Sequence, residues 1–264
     1  LQSGGFAIGH NGNLTNAGTL RSQLVQRGCI FQSTMDSEVI IHLIATSSYR
    51  DLLDKIVDAL HAVVGAYSLV AMTDDRLIGV RDPIGVRPLI LGRLEGAPIL
   101  TSETCALDII GGDFVREIGP GEMVVCDHDG IESLSPFPKA KSRPCIFEYV
   151  YFSRPDSITN GRSIYSVRKA IGAQLARENV VEVDVVIPVP DSGTPAAIGY
   201  AEKAGVPFEL GIIRNHYVGR TVIEPSQNIR NFGVKLKHNA NRAEIEARRV
   251  VLVDDSIVLS LIHI

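Results

Sequence analysis

Residues 248–256 read RRVVLVDDS, and this stretch decides the fold of the second half of the chain. Its four consecutive apolar residues, 250–253, predict a strand that is buried on both faces, as in a parallel sheet. Ligands of open α/β sheets bind beyond the carboxyl ends of such strands, where Asp254 and Asp255 follow. Two neighbouring carboxylates suit Mg²⁺ or a polyhydroxylated substrate. A strand that simply ends in a turn-forming Asp-Asp-Ser is the alternative.

The composition limits the class of protein. The 264 residues are 45% hydrophobic, which is enough for a sizeable core in one or two domains. The formal net charge of −4 argues against a general nucleic-acid-binding surface. No apolar window is long enough to span a bilayer and no secretory leader is recognisable, so we expect a cytoplasmic protein with no membrane partner. No Cys-x-x-Cys spacing occurs among the four cysteines, Cys29, Cys105, Cys126 and Cys145.

The first half of the chain alternates short apolar runs with few helical patterns, which predicts an α+β domain with helices covering an antiparallel sheet. A short strand is expected to end in the turn signal HNGN, residues 10–13. The Asn11 side-chain amide and the Gly12 backbone N–H could form an oxyanion hole there, although Asn-Gly is more often only a turn. Asp36 could bind a substrate ammonium or could cap the following helix.

The second half begins after a change in composition. Residues 133–144 are rich in proline and basic residues, which predicts an interdomain connection with its boundary near residue 140. A βαβ pattern follows, with a helix at 164–177, a strand at 184–190, a helix at 195–204 and a strand at 208–213. The segment DSGTP, residues 191–195, could hold a pyrophosphate with its hydroxyls and backbone N–H groups. A capped strand–helix turn is the alternative.

A basic segment covers residues 214–242. It contains six Lys or Arg residues and one acid, Glu224. Loops of this length are uncommon in compact domains unless they are lids or disordered segments. A cationic lid would suit a polyanionic substrate, whereas a solvated basic loop is the usual meaning of such a run.

Several motifs together resemble the glutamine phosphoribosylpyrophosphate amidotransferase family. In the first half they are HNGN (10–13), DSE (36–38), RDPIGVRPL (81–89), SE (102–103) and GPGE (119–122). In the second half they are CIFEYVYFSRPDS (145–157), PDS (190–192), NHYVGRT (215–221) and VVLVDDSIV (250–258). The resemblance covers residues 1 to about 258, and its specificity comes from the combination because each motif alone is weak.

The resemblance implies two domains, both incomplete. Residues 1–140 would be an α+β N-terminal-nucleophile glutaminase domain, an αββα sandwich. Residues 141–264 would be an α/β type I phosphoribosyltransferase domain with a parallel sheet.

The resemblance also implies roles for individual residues. Asn11 and Gly12 would form the oxyanion hole, and Asp36 would bind the amino group of glutamine. Phosphoribosyl pyrophosphate and its Mg²⁺ would be held at the second site, with Ser192, Asp254 and Asp255 as the metal-associated positions. The substrate-binding set there would be Asp191, Ser192, Arg220, Lys235, Lys237, Asp254 and Asp255.

The implied reaction transfers ammonia from glutamine to phosphoribosyl pyrophosphate. Its products would be 5-phosphoribosylamine, glutamate and pyrophosphate, in the first step of de novo purine biosynthesis. The family further implies feedback inhibition by purine nucleotides and a homo-oligomer, either a dimer or a tetramer. Cys145 matches a position that supplies one of four thiolates to a 4Fe–4S cluster in some members, with the other three ligands beyond residue 264. The remaining cysteines would be structural.

Both ends depart from the family pattern. The nucleophilic cysteine and a glutamine-binding arginine loop would precede Leu1, and Leu259-Ser260-Leu261 stands where the family has Arg-Gly-Thr-Thr. We therefore expect residues 259–264 to be foreign, the chain to be inactive by itself, and phosphoribosyl pyrophosphate to bind it poorly.

Other classes of function fit less well. The main alternative is a non-catalytic regulator that binds phosphoribosyl pyrophosphate, although no basic helix-turn-helix-like segment precedes the second domain. A Rossmann dehydrogenase would need Gly-x-Gly-x-x-Gly, which does not occur. Another member of the glutaminase superfamily would explain the first domain only.

Overall fold

The computed structural model describes residues 4–217, 233 and 235–255. The chain forms two compact units, Leu1–Ile146 and Phe147–Ile264. The division falls shortly after the boundary expected near residue 140. No helix within the described ranges is long and apolar enough to cross a membrane.

Unit 1 contains eight strands and four helices among the described residues. The strands are β1 Ala7–Leu14, β2 Gly65–Met72, β3 Leu77–Arg81, β4 Ile90–Leu94, β5 Ala97–Thr101, β6 Asp113–Glu117, β7 Met123–Asp127 and β8 Gly130–Leu134. The helices are α1 Ala17–Gln26, α2 Ser37–Thr46, α3 Leu52–Ala62 and α4 Thr104–Ile110.

Two antiparallel sheets organise unit 1. One has the strand order β1-β2-β3-β7-β8 and the other has the order β5-β4-β6. Apolar side chains of α1, α2 and α3 pack on the larger sheet around Ile40, Leu60 and Tyr67. A second cluster, which includes Leu91 and Val124, joins the two sheets. Helix α4 contacts the smaller sheet, so unit 1 has mixed α and β layers with the antiparallel pairing expected from its short strands.

The predicted turn at residues 10–13 is wrong. These residues lie inside β1, which continues to Leu14 and pairs with β2 in an antiparallel register from Ala7 opposite Met72 to Leu14 opposite Gly65. The Asn-Gly signal is local, and the pairing with β2 overrides it. Gly12 keeps a positive φ of 154° within the strand, so the residue uses the freedom of glycine without ending the strand.

Unit 2 combines helices with short strands. Its described elements are a π-helical turn Glu148–Phe152, β9 Ile158–Thr159, β10 Arg162–Ser163, α5 Ile164–Glu178, β11 Val185–Pro188, α6 Thr194–Ala204, β12 Ile212–Arg214, β13 His238–Ala240, α7 Arg242–Ile245 and β14 Val250–Val253. Strands β11 and β14 are parallel, with Val185 opposite Val250 and Pro188 opposite Val253. Phe208 makes a single parallel bridge with Val186.

Two details of unit 2 differ from expectation. Strand β14 is not buried on both faces, because Leu252 remains 41% exposed, and β11 is its only strand partner among the described residues. The strand expected at residues 208–213 is displaced, since β12 begins at Ile212 and pairs with β13. This antiparallel pair joins the two ends of the basic segment, whose residues 218–232 lie outside the described ranges.

Helices α5 and α6 cross at two glycines. A Cβ atom on Gly172 would lie 1.8 Å from the carbonyl oxygen of Ala196, and one on Gly199 would lie 1.9 Å from that of Lys169. The two backbones therefore touch, and no larger residue fits at either position without moving a helix.

We expect Gly172→Ala to destabilise unit 2 by about 3 kcal/mol, the upper part of the usual range for overpacking, because the new methyl meets backbone atoms. Denaturant unfolding measures the change. Gly18→Ala in α1 is the matched control, since a Cβ there meets nothing within 4 Å. A Gly172→Ala protein as stable as the control would contradict this packing.

Candidate functional site

Strand β1 and the start of α2 bring three of the predicted residues of unit 1 together. Asn11 and Gly12 lie in β1, and Asp36 immediately precedes α2. Asp36 is the N-cap residue of α2, but its side chain makes no capping hydrogen bond to the first turn of the helix. Its Oδ2 accepts a hydrogen bond from the Leu14 amide at 2.9 Å, and its Oδ1 lies 3.2 Å from His10 Nδ1. The main contacts of the Asp36 side chain are therefore with β1 and not with the first turn of α2.

The charge of Asp36 suits an ammonium ligand. Burial alone would raise its pKa, but the Leu14 hydrogen bond and the adjacent His10 outweigh burial and place the pKa below the usual value. The side chain is 26% exposed, and each carboxylate oxygen can accept more than one hydrogen bond. Asp36 is thus an ionised, accessible acceptor at neutral pH.

His10 connects Asp36 to the neighbouring strand. Its side chain is 5% exposed, and its Nε2 lies 3.4 Å from the Ala66 carbonyl oxygen in β2. Both neighbours of the ring, the Asp36 carboxylate and the Ala66 carbonyl, are hydrogen-bond acceptors. The sequence motif contained His10, but the motif alone assigned no role to it.

Gly12 fits a space that excludes a side chain. A Cβ at this position would lie 2.0 Å from the Ala66 carbonyl oxygen and 2.9 Å from His10 Nε2. Only glycine fits here, so no side chain shields the Gly12 backbone, which is adjacent to Asn11 in the chain. The two donors of the predicted oxyanion hole are adjacent in the same strand.

Arg87 contacts this site from a loop far along the chain. Its Nη2 and Nε donate to Asn11 Oδ1 at 2.9 and 3.2 Å. Residue spacing gave no signal for this contact, because the two residues are 76 positions apart. The motif RDPIGVRPL contained Arg87 without indicating which residue it would contact.

Glu38 organises the loop that leads to Asp36. Its carboxylate accepts hydrogen bonds from the Gln32 amide at 2.7 Å, the Ser33 amide at 2.9 Å and the Ser33 hydroxyl at 2.7 Å. The Gln32 amide is the largest contribution, and together these bonds lower the pKa of Glu38 from 4.5 to about 2. The contacts fold residues 32–38 into a fixed turn before α2.

This shift predicts a pH dependence. A carboxyl whose pKa is lowered on folding stabilises the folded state above its unfolded pKa, and that contribution disappears as pH falls through the folded pKa. The stability difference between wild type and Glu38→Gln should therefore shrink between pH 4.5 and about 2. Denaturant unfolding across this range measures it, with Glu132→Gln on the exposed face of β8 as control. A difference that stays constant with pH would contradict the role of Glu38.

A second group of residues gathers at the carboxyl ends of β11 and β14. The Val189 amide donates to the Val253 carbonyl at 2.9 Å, which holds the two chain exits together. The Ser192 hydroxyl donates to Asp255, and the Asp255 amide donates to Asp254 Oδ1 at 2.8 Å. Three of the predicted metal-associated residues are thus neighbours.

The Asp255 carboxylate is only partly satisfied by the described residues around it. Its Oδ2 is buried and has no hydrogen-bond partner among the residues that the structure describes. Burial is the main cause that raises the pKa of Asp255, the Ser192 hydrogen bond opposes it, and the nearby Asp254 carboxylate adds to it. A cation, or a hydroxyl that donates a hydrogen bond, would relieve both the burial and the repulsion.

The loop before α6 also contacts the β12–β13 pair. Arg214 Nη1 is hydrogen-bonded to Asp191 Oδ2, and His238 is hydrogen-bonded to the Pro190 carbonyl. Arg214 and His238 are opposite each other in the strand register. No sequence pattern predicted an individual role for Arg214 or His238.

The remaining predicted residues are less informative. Lys237 lies just before β13, and its carbonyl accepts from the Asn215 amide at 2.7 Å, while Lys235 is exposed. Arg220 lies outside the described residues. Cys145 is half-buried, and its amide donates to the Val86 carbonyl at 3.0 Å within unit 1.

Comparison with known proteins shows what the two units resemble. A glutamine amidotransferase domain family matches residues 1–108. The amidophosphoribosyltransferase of Rhizobium etli is 57% identical over 263 residues, which are 98% of this chain and 53% of that protein.

Solved structures agree with the sequence comparison. The Bacillus subtilis glutamine phosphoribosylpyrophosphate amidotransferase complexed with ADP and GMP matches with a TM-score of 0.90 and 47% identity, over 97% of this chain and 56% of that one. A structure described as the allosteric regulatory enzyme of purine biosynthesis matches with a TM-score of 0.88 and 48% identity, over 96% of this chain and 54% of that one.

Residues 1–108 of unit 1 therefore match a glutamine amidotransferase domain. The chain is similar to amidophosphoribosyltransferases over almost its whole length, and it spans about half the length of the curated relatives it matches.

Proposed function

We propose that this chain is part of an enzyme that releases ammonia from glutamine and transfers it to phosphoribosyl pyrophosphate. The observation that carries the proposal is the hydrogen bond that joins the ionised Asp36 carboxylate to β1, the strand that also contains Asn11 and Gly12. Similarity to amidophosphoribosyltransferases and the acidic site at the ends of β11 and β14 support it.

In the glutaminase half, Asp36 attracts the α-ammonium of glutamine and thereby fixes the position of the side-chain amide. The family resemblance assigns the nucleophile to a cysteine thiolate. When this thiolate adds to the amide carbon, negative charge develops on the carbonyl oxygen, and the Asn11 amide and the Gly12 N–H donate to it. Collapse of the intermediate breaks the C–N bond and, with a proton, releases ammonia. Water then frees glutamate from the thioester.

In the phosphoribosyltransferase half, Asp254 and Asp255 accept hydrogen bonds from the ribose hydroxyls. Ser192 and the backbone N–H groups at the start of α6 bind pyrophosphate oxygens, as helix N-termini favour anions. Asp255 Oδ2, which has no hydrogen-bond partner in the described part of the chain, lies beside a second carboxylate and fits Mg²⁺. A bound Mg²⁺ would stabilise negative charge on the departing pyrophosphate. Ammonia forms the new bond at the anomeric carbon as pyrophosphate leaves.

The basic segment completes this half of the proposal. Arg220, Lys235 and Lys237 would close over the pyrophosphate and keep water from the anomeric carbon.

We propose the αββα glutaminase fold for residues 1–140 and the type I phosphoribosyltransferase fold for residues 141–264.

The described cysteines do not fit an iron–sulfur cluster by themselves. A 4Fe–4S cluster needs four thiolates, and within the described ranges Cys145 belongs to no group of three metal-ligating side chains. The role of Cys145 as a single cluster ligand stays a prediction.

Feedback inhibition, oligomeric state and cellular location are also proposed from the family resemblance and the composition. Purine nucleotides are the expected feedback inhibitors, because the Bacillus relative was solved with ADP and GMP. A homo-oligomer and a cytoplasmic location are predictions from the family resemblance and the composition.

Isotope transfer tests the proposal. The natural gene product is supplied with amide-¹⁵N glutamine, phosphoribosyl pyrophosphate and MgCl₂. The proposal predicts ¹⁵N in phosphoribosylamine, together with equal amounts of glutamate and pyrophosphate. Binding of phosphoribosyl pyrophosphate without any ¹⁵N transfer would instead support the alternative, a non-catalytic regulator.

A further inference from the structure

The contact between Arg87 and Asn11 determines which way the Asn11 amide points. Two guanidinium nitrogens of Arg87 donate to the same atom, Asn11 Oδ1, at 2.9 and 3.2 Å. A guanidinium offers donors only, so it must face the oxygen of the amide and not the nitrogen. Its position therefore resolves the amide orientation, which atom positions alone often leave ambiguous.

The orientation matters because only one end of the amide can stabilise an oxyanion. With Oδ1 held by Arg87, the Nδ2 end is directed away from the guanidinium as a donor. A flipped amide would place NH₂ against the guanidinium, donor against donor, and would present an oxygen to the developing negative charge. Arg87 therefore disfavours the unproductive rotamer.

The backbone of Arg87 is itself held opposite Asn11. Its carbonyl oxygen accepts from the Ser68 hydroxyl at 3.0 Å and from Arg81 Nε at 2.7 Å. Ser68 lies in β2 as the register partner of Asn11 in β1. Arg87 is thus held at two points. Its backbone is bound to Ser68, which pairs with Asn11 across the strands, and its guanidinium is bound to the Asn11 side chain.

The loop that carries Arg87 folds around the buried side chain of Asp82. Asp82 is fully buried, and its carboxylate accepts from the Ile84 and Val86 amides at 3.0 and 2.9 Å. Arg81 donates to the Gly85 carbonyl at 3.1 Å. These bonds fix residues 82–86, so Arg87 leaves the turn in one direction.

We propose that Arg87 is a positioning residue for the oxyanion hole, which it serves by fixing the Asn11 amide with its nitrogen toward the substrate carbonyl. The inference rests on the proposed glutaminase function and adds to it a residue that does not touch glutamine. The loop 81–87 then holds Arg87 in place. Asp82 in its sequence RDPIGVR forms the buried turn, and Arg87 at its end contacts Asn11.

The test compares Arg87→Gln and Arg87→Lys with wild type in the natural gene product. Removal of one oxyanion donor costs about 10²–10³-fold in kcat, so loss of its orientation should lower the glutaminase kcat by about 10- to 100-fold in Arg87→Gln. KM for glutamine should change little, because Asp36 is untouched. Arg87→Lys, which keeps a donor, should recover part of kcat.

A second readout uses the 264-residue chain and needs no nucleophile. The two Asn11 side-chain N–H resonances in a ¹⁵N NMR spectrum should shift and broaden in Arg87→Gln as the amide gains rotational freedom, and Arg87→Lys should lie between that variant and wild type. Ser68→Ala, which loosens the Arg87 backbone only, should give the same changes at smaller size.

Arg93→Gln, an exposed position on β4, is the matched control and should leave kcat and the Asn11 resonances unchanged. The positioning role is overturned if Arg87→Gln leaves the Asn11 resonances as in wild type, or if only KM changes. If Arg87→Gln does not fold, Arg87→Lys and Ser68→Ala decide by the same criteria. A wild-type protein that hydrolyses no glutamine would refute the proposed function, and the Asn11 resonances would still show whether Arg87 orients the amide.

Discussion

Gly12→Ala should destabilise unit 1 by about 2–6 kcal/mol and abolish glutamine binding. The new methyl would lie 2.0 Å from the Ala66 carbonyl oxygen, at a φ of 154° that alanine rarely adopts. Overpacking costs about 1–3 kcal/mol and an unfavourable φ costs a similar amount. The strand can relieve the clash only by separating β1 from β2, which would move the Asn11 amide and the His10 ring that contacts Asp36.

Denaturant unfolding and glutamine titration measure the two effects. Gly18→Ala is the control, because it makes the same chemical change in α1 where a Cβ meets nothing within 4 Å. Alanine favours a helix over glycine by about 1 kcal/mol, so this control should be at least as stable as wild type. A Gly12→Ala protein that binds glutamine normally would show that the backbone at Gly12 is not part of the site.

Asp255→Asn should raise stability and weaken ligand binding at the same time. Burial raises the pKa of Asp255, which means that the folded state disfavours its charge. A carboxyl with a raised pKa destabilises the folded state at pH values above its unfolded pKa, and the neutral amide removes that cost. The loss of a charge-assisted contact, about 1.5–3 kcal/mol, should weaken Mg²⁺-dependent binding of phosphoribosyl pyrophosphate by about tenfold or more.

Asp184→Asn is the matched control at the opposite end of the same strand pair. Hydrogen bonds from the Arg249 side chain and amide lower the pKa of Asp184 to about 2, so its charge favours folding at neutral pH. The control should therefore lose stability and keep its ligand affinity. Thermal unfolding and NMR titration, which also detects weak binding, measure both quantities. Equal stability changes in the two variants would contradict the assignment of Asp255 to a ligand site.

Strands with strong local signals were predicted well. Strand β14 at Val250–Val253 has the expected bounds, and β11 at Val185–Pro188 lies within the strand expected at 184–190, because each is an apolar run bordered by turn-forming or charged residues. Their neighbours in the sheet, and the exposure of Leu252, depend on parts of the chain far away in sequence. A local pattern cannot contain that information.

Weak or misleading local signals explain the errors. Strand β6 at Asp113–Glu117 was missed because its two apolar residues, Phe114 and Val115, are adjacent and do not alternate with polar residues. Both are exposed in the structure. The Asn-Gly pair at Asn11 and Gly12 was expected to turn, but the ladder with β2 keeps it extended. Tertiary pairing outweighs local preference in both cases.

The site was predicted as separate residues and not as an arrangement. Motif chemistry singled out Asn11, Gly12 and Asp36 one by one, and the structure brings them to one end of β1. The sequence motifs could not identify Arg87 as the partner of Asn11, because that contact depends on how the 81–87 turn folds against β1 and β2. His10 was missed for the same reason, because its role depends on Ala66.

Glutamine titration of the ¹⁵N-labelled chain tests whether glutamine binds at β1. L-Glutamine should shift the Gly12 amide and the Asn11 side-chain resonances saturably, and Asp36→Ala should abolish these shifts while Glu132→Gln preserves them. Shifts that avoid Gly12 and Asn11, or shifts that persist unchanged in Asp36→Ala, would contradict the assignment of the glutamine site to the end of β1.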